Sequence, residues 1–146
     1  MSKYLELKTK YTQERQEFLV YWDDLAELAD RTLKDFAKYL GVDPASSVQV
    51  DGEKVKALRI GRGGVREFVP CASNELERDG EELRVVFELT FELETDPPAI
   101  QRDYFHLKLS GKHGQFQGLI FEGFRDKAFH IPGEVGFFET LMQSAT

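Results

Sequence analysis

The chain contains 146 residues, of which 41% are hydrophobic and 31% are charged. This length and balance are typical of one globular domain with its own core, and they argue against a fibrous or extensively disordered chain. The first residues form no apolar run of signal-peptide length, and the run from 18 to 22 is far too short for a membrane span. The single cysteine, Cys71, cannot form an internal disulfide. We therefore expect a single domain, residues 1 to 146, in the cytoplasm.

The net charge of −7 is concentrated in one segment of the chain. Residues 74 to 96 carry nine acids and two bases, whereas residues 47 to 73 carry five bases and three acids. Nucleic-acid binding depends on lysine and arginine side chains that displace counterions from phosphates. Because this acidic chain has no broad basic stripe, we expect no direct nucleic-acid partner and no membrane partner.

The first predicted element is a long helix. Apolar residues recur at spacings of three and four between Thr12 and Leu40, which is the period of one helix face. Thr12 can serve as the N-cap, Gly41 stands where a left-handed residue ends a helix, and Pro44 prevents continuation. The pattern predicts a helix about 42 Å long, enough to lie diagonally across a sheet.

After Gly41 the period changes to two, and turn sequences such as Asp51-Gly52, Asp79-Gly80 and 111–114 follow at short intervals. The clearest strand, residues 83 to 94, alternates apolar and polar side chains, which predicts one core face and one solvent face. Residues 135 to 143 predict a short closing helix. We expect an α+β fold in which the long N-terminal helix packs on a curved antiparallel meander of about six strands.

The strand after residue 83 also suggests a register. Leu89 opposite Leu107 and Phe87 opposite Leu109 would bring Glu88 opposite Lys108. Continuing this pairing through the next two hairpins predicts a row of side chains on the non-core face. The row is either an aromatic recognition surface or a set of cross-strand pairs that only stabilises the sheet, and it comprises Glu92, Tyr104, Phe121 and His130.

The glycine-rich segment 60–65 lacks the spacing of a nucleotide-binding loop and predicts a hairpin tip. Pairing Ile60 with Val65 would place Arg59 opposite Arg66, with Arg62 at the tip. Like charges that face each other are unfavourable unless an anion lies between them. That anion is either an external ligand or partner, or the chain's own carboxylates in residues 75 to 82.

The carboxylates around the Asp79-Gly80 turn are expected to be solvated, and solvated carboxylates stay ionised and make poor general acids. We expect Glu77, Glu81 and Glu82 to form a contact surface for a partner instead. Charge complementarity at such a surface would make binding depend on salt.

The sequence offers no catalytic or metal-binding constellation. It contains no G-x-S-x-G elbow, and Cys71 has no evident histidine partner. The predicted register separates His106 from His130 by roughly 12 Å, too far for one ion, and His113 falls at a hairpin tip. We therefore expect no enzyme, no metal and no cofactor.

Phenylalanine is frequent, with twelve residues in the chain and six of them between 116 and 138. A single small sheet is not expected to bury all six. The remainder would be covered by a homodimer interface or by a partner's groove.

These observations favour a non-enzymatic binding module that engages another protein or a second copy of itself, such as an adaptor, an immunity-type inhibitor or a secretion chaperone. The alternative is a small-ligand cup with apolar walls and an anion held by Arg59, Arg62 and Arg66. A third hypothesis is an enzyme that uses His106 or His130 with Glu92.

Overall fold

The computed structural model describes residues 2 to 112, 115 to 122 and 124 to 145. It confirms the α+β class: a long N-terminal helix, a large antiparallel sheet and a short C-terminal helix. The helices are α1 (Lys3–Leu40) and α2 (Phe137–Gln143), and a short 3-10 turn covers Ser73–Glu75. The strands are β1 (Ser47–Val50), β2 (Glu53–Lys56), β3 (Leu58–Arg62), β4 (Val69–Pro70), β5 (Glu77–Asp79), β6 (Glu82–Leu93), β7 (Ala99–Lys112), β8 (Gln115–Glu122) and β9 (Arg125–Ile131).

Helix α1 starts ten residues earlier than the sequence predicted. Its N-cap is Ser2, whose side chain accepts a hydrogen bond from the backbone N–H of Leu5, and not Thr12. Its C-terminus agrees with the prediction, because Gly41 adopts the left-handed conformation at φ 75°. The 38 residues make a helix about 57 Å long.

The main sheet contains seven strands in the order β4-β3-β6-β7-β8-β9, with β5 pairing along the same edge of β6 as β3. The hairpin of β1 and β2 forms a separate two-stranded sheet. Its predicted turn is confirmed, since Asp51 and Gly52 both have positive φ angles, as a type I′ hairpin turn requires.

One face of the sheet packs against both helices. Phe36 of α1 lies at the centre of this core, with its ring 5.8 Å from that of Phe87 and 5.0 Å from that of Phe105. Helix α2 contacts α1 through Phe138, whose ring lies 5.5 Å from that of Phe36, and its Phe137 packs over Gly118 in β8. A Cβ at position 118 would lie 2.7 Å from the Phe137 ring, so only glycine lets the helix approach this closely.

The predicted register is wrong, although the predicted faces are right. Leu89 lies opposite Asp103 and Leu83 lies opposite Leu109, a shift of four residues from the expected pairing. The shift arises because β7 begins at Ala99, directly after the two prolines, and pairs from there. A shift by an even number leaves every side chain on its original face, so the core face was still identified correctly.

The face of β6 that was predicted to be exposed to solvent is in fact partly buried. Val86, Glu88 and Thr90 point away from α1, yet they are only 5%, 1% and 1% exposed. The loop from 63 to 68 folds over this part of the sheet and places the ring of Phe68 5.7 Å from that of Tyr104. The sheet is therefore covered on both faces at β3, β6 and the adjoining part of β7.

Candidate functional site

Beneath Phe68, three polar side chains from neighbouring strands form a buried network. Arg59 Nε donates to Glu88 Oε1 at 2.6 Å, and the hydroxyl of Tyr104 also bonds to the Glu88 carboxylate. The Arg59 guanidinium lies 5.4 Å from the centre of the Phe68 ring. Burial and the adjacent carboxylate raise the pKa of Tyr104. Glu88 thus supplies the carboxylate partner of Arg59, and this carboxylate lies outside the acidic segment 75–82.

The predicted arginine cluster is not formed. Gly61 of β3 pairs with Pro70 and Arg62 pairs with Val69, so residues 63 to 68 form a wide loop instead of the tight hairpin that would set Arg59 opposite Arg66. Arg66 is exposed in that loop, and Arg62 lies at the rim of a groove described below. The predicted Ile60–Val65 pair is not present among the described residues, and Ile60 pairs with Phe87 instead.

The predicted row of Glu92, Tyr104, Phe121 and His130 is likewise not formed. These residues do lie on the non-core face, but their strand partners are Ile100, Glu88, Asp126 and Gln117 in turn. The β8–β9 register differs from the prediction because β9 begins at Arg125, so the connection precedes the expected turn. Tyr104 is buried, whereas Phe121 is 65% exposed.

A groove of about 410 Å³ crosses the open part of this face. It brings together Arg62, Glu77 and Phe121, three residues that the sequence had assigned to separate surfaces. His106 also lines it, and although this residue is exposed, partial loss of water around its imidazole in the groove lowers its pKa. Three bases and three acids line the groove, so these charges balance: Arg62, Arg84, Lys108, Glu67, Glu77 and Asp126.

The acidic turn lies at the opposite end of β6 from the loop to β7. Glu77 pairs with Arg84 across the β5–β6 hairpin, and Arg84 bonds to Asp79 at 2.7 Å. Glu81 occupies the turn with Gly80, and Glu82 begins β6. The turn therefore projects from the edge of the sheet at the point where α1 passes over it.

The first half of α1 is a long exposed segment that carries several large apolar side chains. Every residue from Ser2 to Val20 is exposed, whereas burial against the sheet begins at Tyr21 and Trp22. The hydroxyl of Tyr21 donates to the carbonyl oxygen of Glu81, and the Arg78 guanidinium lies 4.6 Å from the Trp22 ring centre. These contacts fix the place where the helix leaves the sheet. Residues 3 to 20 are here called the α1 extension.

One face of the α1 extension carries four large apolar side chains. Their spacings of three, four and seven place them on the face that packs on the sheet further along the helix, where Leu25, Ala29 and Phe36 are fully buried. We call this set the apolar stripe, and it consists of Tyr4, Leu7, Tyr11 and Phe18, which are 72%, 51%, 60% and 44% exposed.

A second cavity, of about 640 Å³, lies at the edge of the sheet between α1 and the strands β2 and β3. Leu33, Leu58 and Ile60 form part of its apolar wall. Its rim carries Lys34, Lys54 and Lys56, with Asp30 as the one acid among the lining residues. Cys71 also lines it, and burial raises the pKa of this thiol.

In the described part of the chain, histidine, cysteine, aspartate and glutamate side chains form no group of three that could hold a metal ion. The predicted hairpin position of His113 lies outside the described residues. Neither helix has an apolar stretch long enough to cross a bilayer, as far as the described residues extend.

Comparisons with protein-family models, curated proteins and solved structures gave no match to this chain.

The sequence interpretation missed the α1 extension because it started the helix at Thr12. The signal was present in the spacing of Tyr4, Leu7 and Tyr11, which continues the stripe that begins at Phe18. Glu14 and Arg15 interrupt that stripe and made Thr12 the more obvious start. Ser2, which precedes this periodic apolar pattern, is a favourable N-cap residue and indicated the true start of the helix.

Proposed function

We propose that this protein is a non-enzymatic binding module that engages a protein partner through the apolar stripe of the α1 extension. The single observation that carries this proposal is a helix of which residues 3 to 20 are all exposed while four large apolar side chains line one face. Most helical stability in proteins comes from packing of the apolar face, and in residues 3 to 20 this face is left largely exposed. A partner that covers the stripe would supply the missing packing.

The recognition mode is that of an amphipathic helix presenting anchors at spacings of three, four and seven. Tyr4, Tyr11 and Phe18 are aromatic, and aromatic anchors dominate the energetics of many protein interfaces. Glu81 and Glu82 lie beside the base of the extension, so the acidic turn predicted from sequence would contact basic groups of the same partner.

The test is a double variant, Leu7→Glu with Tyr11→Glu, compared with a matched control on the opposite face of the same helix. The control is Leu5→Glu with Val20→Glu, which adds the same charge at exposed positions away from the stripe. Wild type and variants are immobilised, and the proteins that each retains from the native lysate are quantified. The retention of a second, differently tagged copy of the chain is measured in the same experiment.

The stripe variant should lose at least tenfold of a partner that the wild type and the control retain, since two buried anchors are worth well over 1.4 kcal/mol. If both double variants retain the same proteins to the same extent as the wild type, the stripe is not a binding surface and the proposal fails.

A second candidate function is the binding of a small amphipathic anion in the cavity of about 640 Å³. The observation that favours it is an apolar wall beneath a rim with Lys34, Lys54 and Lys56. This cavity shares Arg59 with the cup predicted from sequence but lies at the edge of the helix–sheet interface, because the centre of that interface is filled by Phe36, Phe87 and Phe105.

Titration of the purified protein with a fluorescent fatty acid tests this candidate. Lys54→Glu with Lys56→Glu should weaken binding about tenfold or more, whereas the remote pair Lys8→Glu with Lys10→Glu should leave it unchanged. Equal binding by both variants, or none by the wild type, would rule the candidate out.

A further inference from the structure

The charges of α1 are divided between its outer tip and the region where it leaves the sheet. Residues 3 to 10 carry three lysines and one glutamate, whereas residues 14 to 24 carry four acids and one arginine. The turn that contacts the base of the extension adds Glu81 and Glu82, and Arg78 beside Phe18 and Trp22 adds one base, so this end remains acidic. The free helix therefore presents a basic tip and an acidic base.

A second copy of this helix is complementary to it in only one direction. Two parallel extensions would place like charges side by side, whereas two antiparallel extensions place each basic tip against the acidic base of the other. The antiparallel arrangement also places the two sheets at opposite ends of the helix pair.

Glu14 fixes the register. It interrupts the apolar stripe between Tyr11 and Phe18, and a carboxylate within a packed seam is costly unless an opposite charge faces it. When the helices cross at Tyr11, residue n of one copy lies level with residue 22 − n of the other. Lys8 then lies level with Glu14, and Tyr4 lies level with Phe18.

We propose that the partner of the apolar stripe is a second copy of this chain, bound antiparallel about a twofold axis at Tyr11. This inference rests on the proposed function, because it names the occupant of the same surface. The contact is isologous: each copy contributes the same stripe, and the symmetry closes at a dimer. Two Lys8–Glu14 pairs and two Tyr4–Phe18 contacts flank the axis.

Sedimentation equilibrium of the full-length wild type and of charge variants tests the pairing. The wild type should form a dimer, and Leu7→Glu with Tyr11→Glu should be monomeric. Lys8→Glu alone or Glu14→Lys alone should weaken the dimer about tenfold, because each change creates two like-charge pairs. The combined charge swap should restore the dissociation constant to within about threefold of the wild-type value, because both pairs are re-formed with reversed sign.

The outcomes separate this inference from the proposed function. A wild type that stays monomeric overturns the second copy as partner, and the proposed function then survives only if the lysate experiment shows stripe-dependent capture of a different protein. A dimer that persists in Leu7→Glu with Tyr11→Glu overturns the interface. A dimer weakened by both single charge changes but not rescued by the swap overturns the antiparallel register.

Crosslinking gives an independent measurement of the axis. In a Cys71→Ser background, Tyr11→Cys should be joined rapidly to its symmetry mate by a short bismaleimide. Val20→Cys, on the opposite side of the same helix, is the matched control and should remain uncrosslinked at equal concentration. Equal crosslinking of the two variants would contradict an axis at Tyr11.

Discussion

The pair formed by Arg59 and Glu88 shows how a charge can lie within the sheet. Glu88 is 1% exposed, whereas the Arg59 side chain is 27% exposed and packs on Phe68. Removing one partner of a buried pair is costly chiefly because the other charge is left without compensation. Removing the charge of Arg59 should therefore cost more stability than removing the charge of Glu88.

We predict that Arg59→Met destabilises the fold by about 3 kcal/mol or more, because it strands the buried carboxylate. Glu88→Gln should cost about 1 to 2 kcal/mol, since the exposed side of Arg59 can be hydrated and the amide keeps a hydrogen bond to Tyr104. Urea unfolding measures both free energies. The combined Arg59→Met and Glu88→Gln variant should be more stable than Arg59→Met alone, and a less stable double variant would show that the stranded charge is not the cause.

His106 provides a pH-dependent contribution to stability. Its pKa in the fold is lowered by the loss of water around it, so the unfolded chain binds a proton at higher pH than the folded protein does. The stabilising contribution is complete above the unfolded pKa of about 6.5 and is lost as the pH falls below that value.

We predict that His106→Gln loses less stability than the wild type between pH 7 and pH 5, because glutamine does not titrate. Urea unfolding at the two pH values gives the comparison. Between pH 7.5 and 8.5, where the imidazole is neutral in both states, the two proteins should change in parallel. A His106→Gln variant that loses as much stability in acid as the wild type would contradict this assignment.

At the scale of the elements, the loop from 63 to 68 depends on a glycine beneath it. A Cβ at Gly61 would lie 2.4 Å from the backbone oxygen of Val69 and 2.6 Å from the Phe68 ring, while a Cβ at Gly64 would meet no atom within 4 Å. Gly61 therefore lets Phe68 cover Arg59 and Tyr104 on the sheet.

We predict that Gly61→Ala destabilises the protein by about 1 to 3 kcal/mol through overpacking, whereas Gly64→Ala changes its stability little. Thermal or urea unfolding compares the two. Equal effects would mean that Phe68 does not seal this face of the sheet.

The elements also show which aspects of the fold the sequence could predict. Period-two alternation determines which side chains face the core, so Leu83, Val85 and Phe87 were placed correctly. The register depends on where pairing resumes after Pro98, and alternation cannot distinguish shifts of two or four residues. The expected row failed for this reason.

No local sequence pattern indicated that the face of the sheet opposite α1 would also be covered. Phe68 reaches Tyr104 from a loop, and the contact depends on the tertiary path of residues 63 to 68. Glu88 consequently looked like a solvent-facing residue in the alternation. The acidic turn could be predicted, since Gly80 and the neighbouring carboxylates define it locally.

At the scale of the whole molecule, the sheet and the C-terminal half of α1 form the folded body, and the α1 extension projects from it. The apolar stripe lies on the helix face that is buried further along, and the charges reverse in sign between tip and base. In our account these two features make the extension self-complementary, so the fold positions a dimer contact away from its own core.

Hydrogen exchange of the α1 extension at two protein concentrations tests this account most directly. Exposed helical amides without tertiary packing open easily, whereas amides in an interface are protected in proportion to the bound fraction. We predict that amides from Leu7 to Phe18 exchange fast at about 1 μM and at least tenfold more slowly at about 200 μM, while amides from Leu25 to Ala37 exchange at the same rate at both. Identical exchange of the extension at the two concentrations would contradict association of this chain through the apolar stripe.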